Sequence, residues 1–233
     1  MTPPADLGFD TELIRLPLGN AILMMPESLE NPAPLIVFAH GNAEVAHLWI
    51  EEFRFFQRQG VAVLLLEYPG YAGSPGSPSA ESILAASLDS LDTVLTRREI
   101  DESRVVLYGR SLGTGVVCAM SVQRPVSALI LESPLVSLHQ LVTEKSMPAF
   151  LLRDELDCQS PVASFEGPVF LYHGFRDQVI PHHHSDQLAE LTTRATVVKR
   201  ECSHNDCPRP WSEIYAFLSE IDGFYPMVSS TFR

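Results

Sequence analysis

No stretch of this 233-residue chain approaches the roughly 18 consecutive apolar residues that a membrane-spanning helix requires, so stable membrane insertion is not expected. The first ten residues carry neither the basic start nor the apolar run of a secretory leader, and the expected location is cytoplasmic. Basic residues are scarce: 16 Lys and Arg stand against 29 Asp and Glu, for a formal net charge of -13. The acidic residues are spread along the sequence rather than gathered into a tail, which makes nucleic acid and anionic surfaces poor partners. Only four cysteines occur, Cys118, Cys158, Cys202 and Cys207, with uneven spacing. That excludes the framework of a disulfide-stapled secreted domain and suggests a reducing compartment, with Cys202 and Cys207 as two unbridged thiols. No G-x-G-x-x-G opens a helix, so a dinucleotide cofactor has no cradle here. Internal repeats are absent as well.

Short runs rich in Val, Ile and Leu do occur, and they alternate with longer amphipathic segments. This is the pattern of parallel strands joined by crossover helices, an α/β fold with helices on both faces of a mostly parallel sheet. The spacing predicts strands over residues 35–39, 61–67, 104–108, 128–132, 169–173 and 196–200, with an N-terminal hairpin over 12–16 and 21–25. Leu84, Leu88, Leu91 and Leu95 share one helical face, as do Trp211, Ile214, Tyr215 and Leu218; both stripes read as core. The Gly-, Pro- and Ser-rich loop 69–79 should end at a helix N-cap, Ser77 or Ser79. Residues 134–166 break the rhythm and carry many apolar side chains, among them Leu135, Met147 and Phe150. They read either as a small cap over a cleft or as an ordinary crossover, within what is otherwise one domain over 1–233.

Between the strand ending at Tyr108 and a small-residue helix lies Gly109-Arg110-Ser111-Leu112-Gly113. A strand, a G-x-S-x-G box and a helix in that order form a nucleophile elbow, a turn tight enough to strain the serine backbone and expose its hydroxyl. A serine hydroxyl is a weak nucleophile, so it needs an imidazole to take its proton and a carboxylate to orient that imidazole. Chain order in such folds is Ser, acid, His. Asp177 follows the strand 169–173 and His204 follows the strand 196–200, so three loops bring Ser111, Asp177 and His204 to the carboxyl edge of the sheet. Glu132, at the end of another strand, is the competing acid. The oxyanion formed on attack needs two N–H donors, expected from Leu112 and from Asn42 in the loop His40-Gly41-Asn42-Ala43. His40 reads as a shaper of that loop, His173 as the end of a buried strand, and His47 and His139 as helix or cap residues with no partner in view. His182-His183-His184 tempts a metal assignment, but adjacent side chains diverge, and the run is expected to be a solvated helix start.

His40-Gly41-Asn42-Ala43, Tyr68-Pro69-Gly70-Tyr71, the Ser111 box, His173-Gly174 with Asp177, and His204-Asn205-Asp206 stand in order over about residues 35–221. In this the chain resembles the α/β-hydrolases, and among them the compact branch of carboxylesterases and depalmitoylase-like thioesterases. The resemblance implies the same Ser111, Asp177 and His204, with no metal or organic cofactor and a small-molecule ester or thioester as substrate. Many members place Gly before the catalytic His, where this chain has Ser203. A carboxylesterase leads, a thioesterase comes second and a peptidase of the same fold third. The rival from another class is a noncatalytic binding module, which should have lost a member of the constellation.

Overall fold

The computed structural model describes residues 7, 8, 10–27, 31–145 and 155–225. Among these described residues, eight strands form one sheet: β1 (Thr11–Arg15), β2 (Asn20–Met24), β3 (Ala33–Ala39), β4 (Ala62–Leu66), β5 (Ile100–Arg110), β6 (Ala128–Glu132), β7 (Val169–Gly174) and β8 (Ala195–Arg200). Their spatial order is β1-β2-β4-β3-β5-β6-β7-β8. β1 and β2 pair antiparallel as the expected hairpin, β2 joins β4 antiparallel, and every other pair is parallel.

Strand period, in which neighbouring side chains point to opposite faces, sorts the apolar runs into two cores. Leu35, Val37 and Ala39 of β3 face one cluster together with Leu64, Leu107 and Leu129. Their neighbours Ile36 and Phe38 face the other with Val63, Val106 and Ile130. The first face is covered by α2 (Ala80–Leu95), α3 (Leu112–Gln123), α5 (Gln159–Ser164) and α6 (His183–Ala189), the second by α1 (Ile50–Arg58) and α7 (Trp211–Ser219). Because both faces are buried, the central strands can be apolar throughout rather than alternating. Ser79 caps α2, accepting from Ser82 N–H while Ser82 Oγ accepts from Ser79 N–H, as the end of loop 69–79 suggested. The sequence reading did not resolve α1 or the 3₁₀ turn before it (Ala46–Trp49).

Within 134–166, α4 (Leu138–Glu144) and α5 are described, and Ser137 bridges to Asp157. Leu135, Val136, Leu156 and Val162 on these flanks join the main core. Met147, Phe150, Leu151 and Leu152 lie outside the described residues, and with them the centre of the segment read as either a cap or a crossover.

Candidate active site

From β3 the chain crosses to β4 on one side and returns to β5 on the other, so the topology switches direction between β3 and β5. Crevices outside the carboxyl ends of strands form at such points. Ala39 and Gly109 are register partners there, which sets the loop 40–45 beside Ser111. Ser111 has φ 53° and ψ -121°, a left-handed conformation that an L-residue keeps only when its surroundings enforce it. Those surroundings depend on the two glycines of the box. A Cβ on Gly113 would overlap the Ala39 carbonyl oxygen, and one on Gly109 would come within 2.6 Å of Thr114 Cα. Helix α3 can therefore start directly against β3 and β5, with Ser111 at the corner.

His204 Nε2 lies 2.9 Å from Ser111 Oγ, and His204 Nδ1 lies 2.7 Å from Asp177 Oδ2. All three side chains are largely buried. Asp177 Oδ1 accepts from the N–H groups of Val179 and Ile180, each at 2.9 Å. His173 Nε2 sits 3.3 Å from Asp177 Oδ2 and 2.9 Å from the Ile180 carbonyl, while its Nδ1 meets Ser185 Oγ at 2.6 Å. Burial alone would raise the Asp177 carboxyl, but the hydrogen bonds from His173, His204 and the Ile180 backbone outweigh it and hold the group well below the usual carboxylate range. Asp177 is thus a fixed anion facing His204 Nδ1. His173 has a part in the site that its reading as a strand end did not anticipate.

Glu132, the competing acid, is engaged elsewhere. Its carboxylate accepts from Tyr108 Oη at 2.6 Å, Arg209 Nε at 3.1 Å and Arg110 Nε at 3.2 Å. Of the two candidate acids, Asp177 is the one hydrogen-bonded to His204.

In the loop after β3, Gly41 N–H donates to Glu44 Oε2 at 2.9 Å, which leaves Asn42 N–H as the next donor along the chain. Tyr71 Oη donates to Asn42 Oδ1 at 2.9 Å and pins that residue from the side. His40 is fully buried between Gly41 O (2.8 Å) and Glu67 Oε1 (3.1 Å), and the other Glu67 oxygen takes Ala46 N–H. It shapes the loop as expected, with Glu67 as an unforeseen partner. Ala43 takes φ 61°, a second strained residue at this edge.

The loop carrying His204 corrects one expectation: Cys202 and Cys207 are joined by a disulfide, with their Cα atoms 5.0 Å apart. The turn 203–206 folds back on itself, with Ser203 N–H donating to Asp206 Oδ1 at 2.5 Å, and brings the thiols within bridging range. Spacing alone could not show that return. Ser203 does not take a positive φ, so glycine is not needed before His204.

A second correction concerns His182-His183-His184. The run does start helix α6, yet His184 is fully buried rather than solvated. Glu144 of α4 meets His183 Nε2 at 3.1 Å and His184 Nε2 at 3.0 Å, so a carboxylate does complete a three-donor cluster. The donors fit a metal poorly. His184 Nδ1 accepts from Val136 N–H at 2.9 Å, so its proton sits on Nε2, where a metal would need the lone pair.

Sheet order, elbow and the Ser111, His204 and Asp177 line all point to one family. Residues 34–159 match the family model described as the alpha/beta hydrolase fold, and the chain belongs to that family. It is 31% identical over 186 residues to the uncharacterized protein MT2364 of Mycobacterium tuberculosis, covering 78% of this chain and 66% of that protein. It is 30% identical over 207 residues to the alpha/beta hydrolase domain-containing protein WAV2 of Arabidopsis thaliana, covering 80% and 65%. The chain thus spans just under two thirds of the length of these relatives. Among solved structures it resembles the thermophilic esterase Est2 from Thermogutta terrifontis, with TM-score 0.74, 16% identity and 97% of each chain covered. It also resembles an acylaminoacyl peptidase from Pyrococcus horikoshii, with TM-score 0.74, 15% identity, and 96% of this chain and 42% of that one covered. At such identities the likeness speaks for the fold.

Proposed function

We propose that the protein is a serine hydrolase that cleaves carboxylic esters through an acyl-enzyme. Ser111 Oγ attacks the carbonyl as His204 Nε2 takes its proton, and Asp177 keeps the imidazole oriented and offsets the charge it gains. The N–H groups of Leu112 and Asn42 receive the developing oxyanion. Collapse expels the alcohol, which takes the proton back from His204; water, activated by the same imidazole, then releases the acid. The observation that carries this reading is the continuous hydrogen-bonded line from Ser111 Oγ through His204 to Asp177 Oδ2, with Ser111 held at positive φ.

A fluorophosphonate probe tests it. The wild-type protein should be labelled covalently at Ser111, and Ser111→Ala should take no label. Ester turnover by that variant should fall by a factor on the order of 10⁴ or more, with the fold intact by circular dichroism. Retention of more than about a hundredth of the rate would rule out covalent catalysis by Ser111. A panel of esters and thioesters of graded acyl length, read as kcat/KM, separates the carboxylesterase from a thioesterase.

A further inference from the structure

The hydrolase reading gives no role to Arg110, the second residue of the G-x-S-x-G box, although its guanidinium touches both loops that flank Ser111. Arg110 is buried, 5% exposed. Its Nη2 donates to the His204 carbonyl and to Asn205 Oδ1, both at 2.9 Å. Its Nη1 pairs with Glu44, whose other oxygen accepts from Gly41 N–H, one residue before Asn42. Its Nε donates to Glu132 Oε1 at 3.2 Å, and Glu132 is held in turn by Tyr108 and Arg209. The indole of Trp49 lies 5.8 Å from the guanidinium carbon.

We propose that Arg110 is a positioning residue that locks the His204 loop to the loop carrying Asn42, so that proton acceptor and oxyanion donor move as one body about Ser111. The inference rests on the hydrolase reading above. Arg110 and Arg209 are ion-paired with Glu44, Glu132 and Glu52, and such a network by itself would give the guanidinium a role in stability alone. The connectivity argues for more. The path from Gly41 N–H through Glu44 and Arg110 to the His204 carbonyl runs across separate loops, and all of it passes through one planar group whose N–H directions are fixed. A lysine would keep the charge but could not span these partners. Displacement of a reacting group by about 1 Å can cost about 100-fold in rate, so a rigid link between the two loops acts directly on turnover.

Arg110 variants could fail to fold, so the test cuts the bridge at its more exposed ends. Glu44→Gln replaces one carboxylate oxygen by an NH2 group that must face either Arg110 or Gly41 N–H, so one of the two donors loses its acceptor and the link is cut, and Asn205→Ala removes one of the acceptors on the base loop. For wild type, both single variants and the double variant, kinact and KI are measured with the fluorophosphonate, together with thermal midpoints. Each single variant should lower kinact by about tenfold with KI within about twofold, and the double variant should be little worse than the poorer single one, because both break the same link. Arg110→Lys, where it folds, should drop at least as far. Losses that multiply in the double variant, or that fall on KI alone, or that track the thermal midpoint, would overturn the positioning role while leaving the hydrolase reading intact. Failure of the wild type to take the label at all would remove both.

Discussion

At the scale of the residue, the two candidate acids differ in what they face. Asp177 meets His204 Nδ1 at 2.7 Å, whereas Glu132 is occupied by Tyr108, Arg110 and Arg209. Asp177→Asn should therefore cost about 10⁴ in kcat, since an amide in that place supports the wrong imidazole tautomer. Glu132→Gln should cost less turnover per folded molecule and more stability, on the order of 3–5 kcal/mol, because it leaves buried guanidinium groups short of a partner. Parallel measurement of kcat and chemical denaturation on the two variants checks this, and the reverse order would transfer the acid to Glu132. Among the residues that sequence reasoning missed, Arg110, Glu44, Glu67 and Asn205 have partners far along the chain, while His173 meets Asp177, Ile180 and Ser185 through the turn that follows its own strand. The available signal was a lone Arg at the end of an apolar strand, where a charge is seldom left unpaired.

At the scale of the element, the loop from β8 to α7 and the contact between α4 and α6 each carry an expectation. The Cys202 to Cys207 bridge closes a very short loop around His204, and the chain-entropy argument gives it about 2 kcal/mol. Replacing both cysteines by serine should lower stability by about that amount in urea titration, and the same loss should follow treatment of the wild type with a dithiol reductant. Between α4 and α6, burial works to raise the Glu144 carboxyl, but hydrogen bonds from Gln140, His183 and His184 bring it from its ordinary 4.5 to about 2. A carboxyl depressed in the folded state stabilises the protein above its unfolded value and loses that contribution as pH falls through the folded one. Glu144→Gln should thus be less stable than wild type at neutral pH, and the gap should close between about pH 4.5 and 2. Thermal midpoints across that range decide it; a gap that persists at pH 2 would mean that charge on Glu144 is not its source.

At the scale of the whole molecule, the net charge of -13 sets the field that a substrate meets on approach. A neutral thioester should be turned over with higher kcat/KM than the matching acyl-CoA, and the difference should shrink as salt screens the repulsion. An acyl-CoA preferred at low ionic strength would show that a local basic surface governs entry. The fold itself was legible because burying a parallel sheet on both faces demands apolar runs, as in β3, β4 and β6, and such runs stand out in any sequence. Ser111, Asp177 and His204 were legible for a related reason: a strand end fixes where the next residues emerge, so chain order already implies a common edge. β8 was legible as a strand yet is half exposed, because edge position depends on pairing order and not on local pattern. Only tertiary structure decided that Asp177 rather than Glu132 meets His204, that the 203–206 turn brings two cysteines together, that Glu144 reaches His183 and His184, and that Arg110 spans two loops. The contacts of Asp177, Glu144 and Arg110 join segments whose separation in space follows from packing of the whole sheet, and the pairing of the cysteines follows from the return of the 203–206 turn, whereas periodicity reports only on the spacing of apolar residues along the chain.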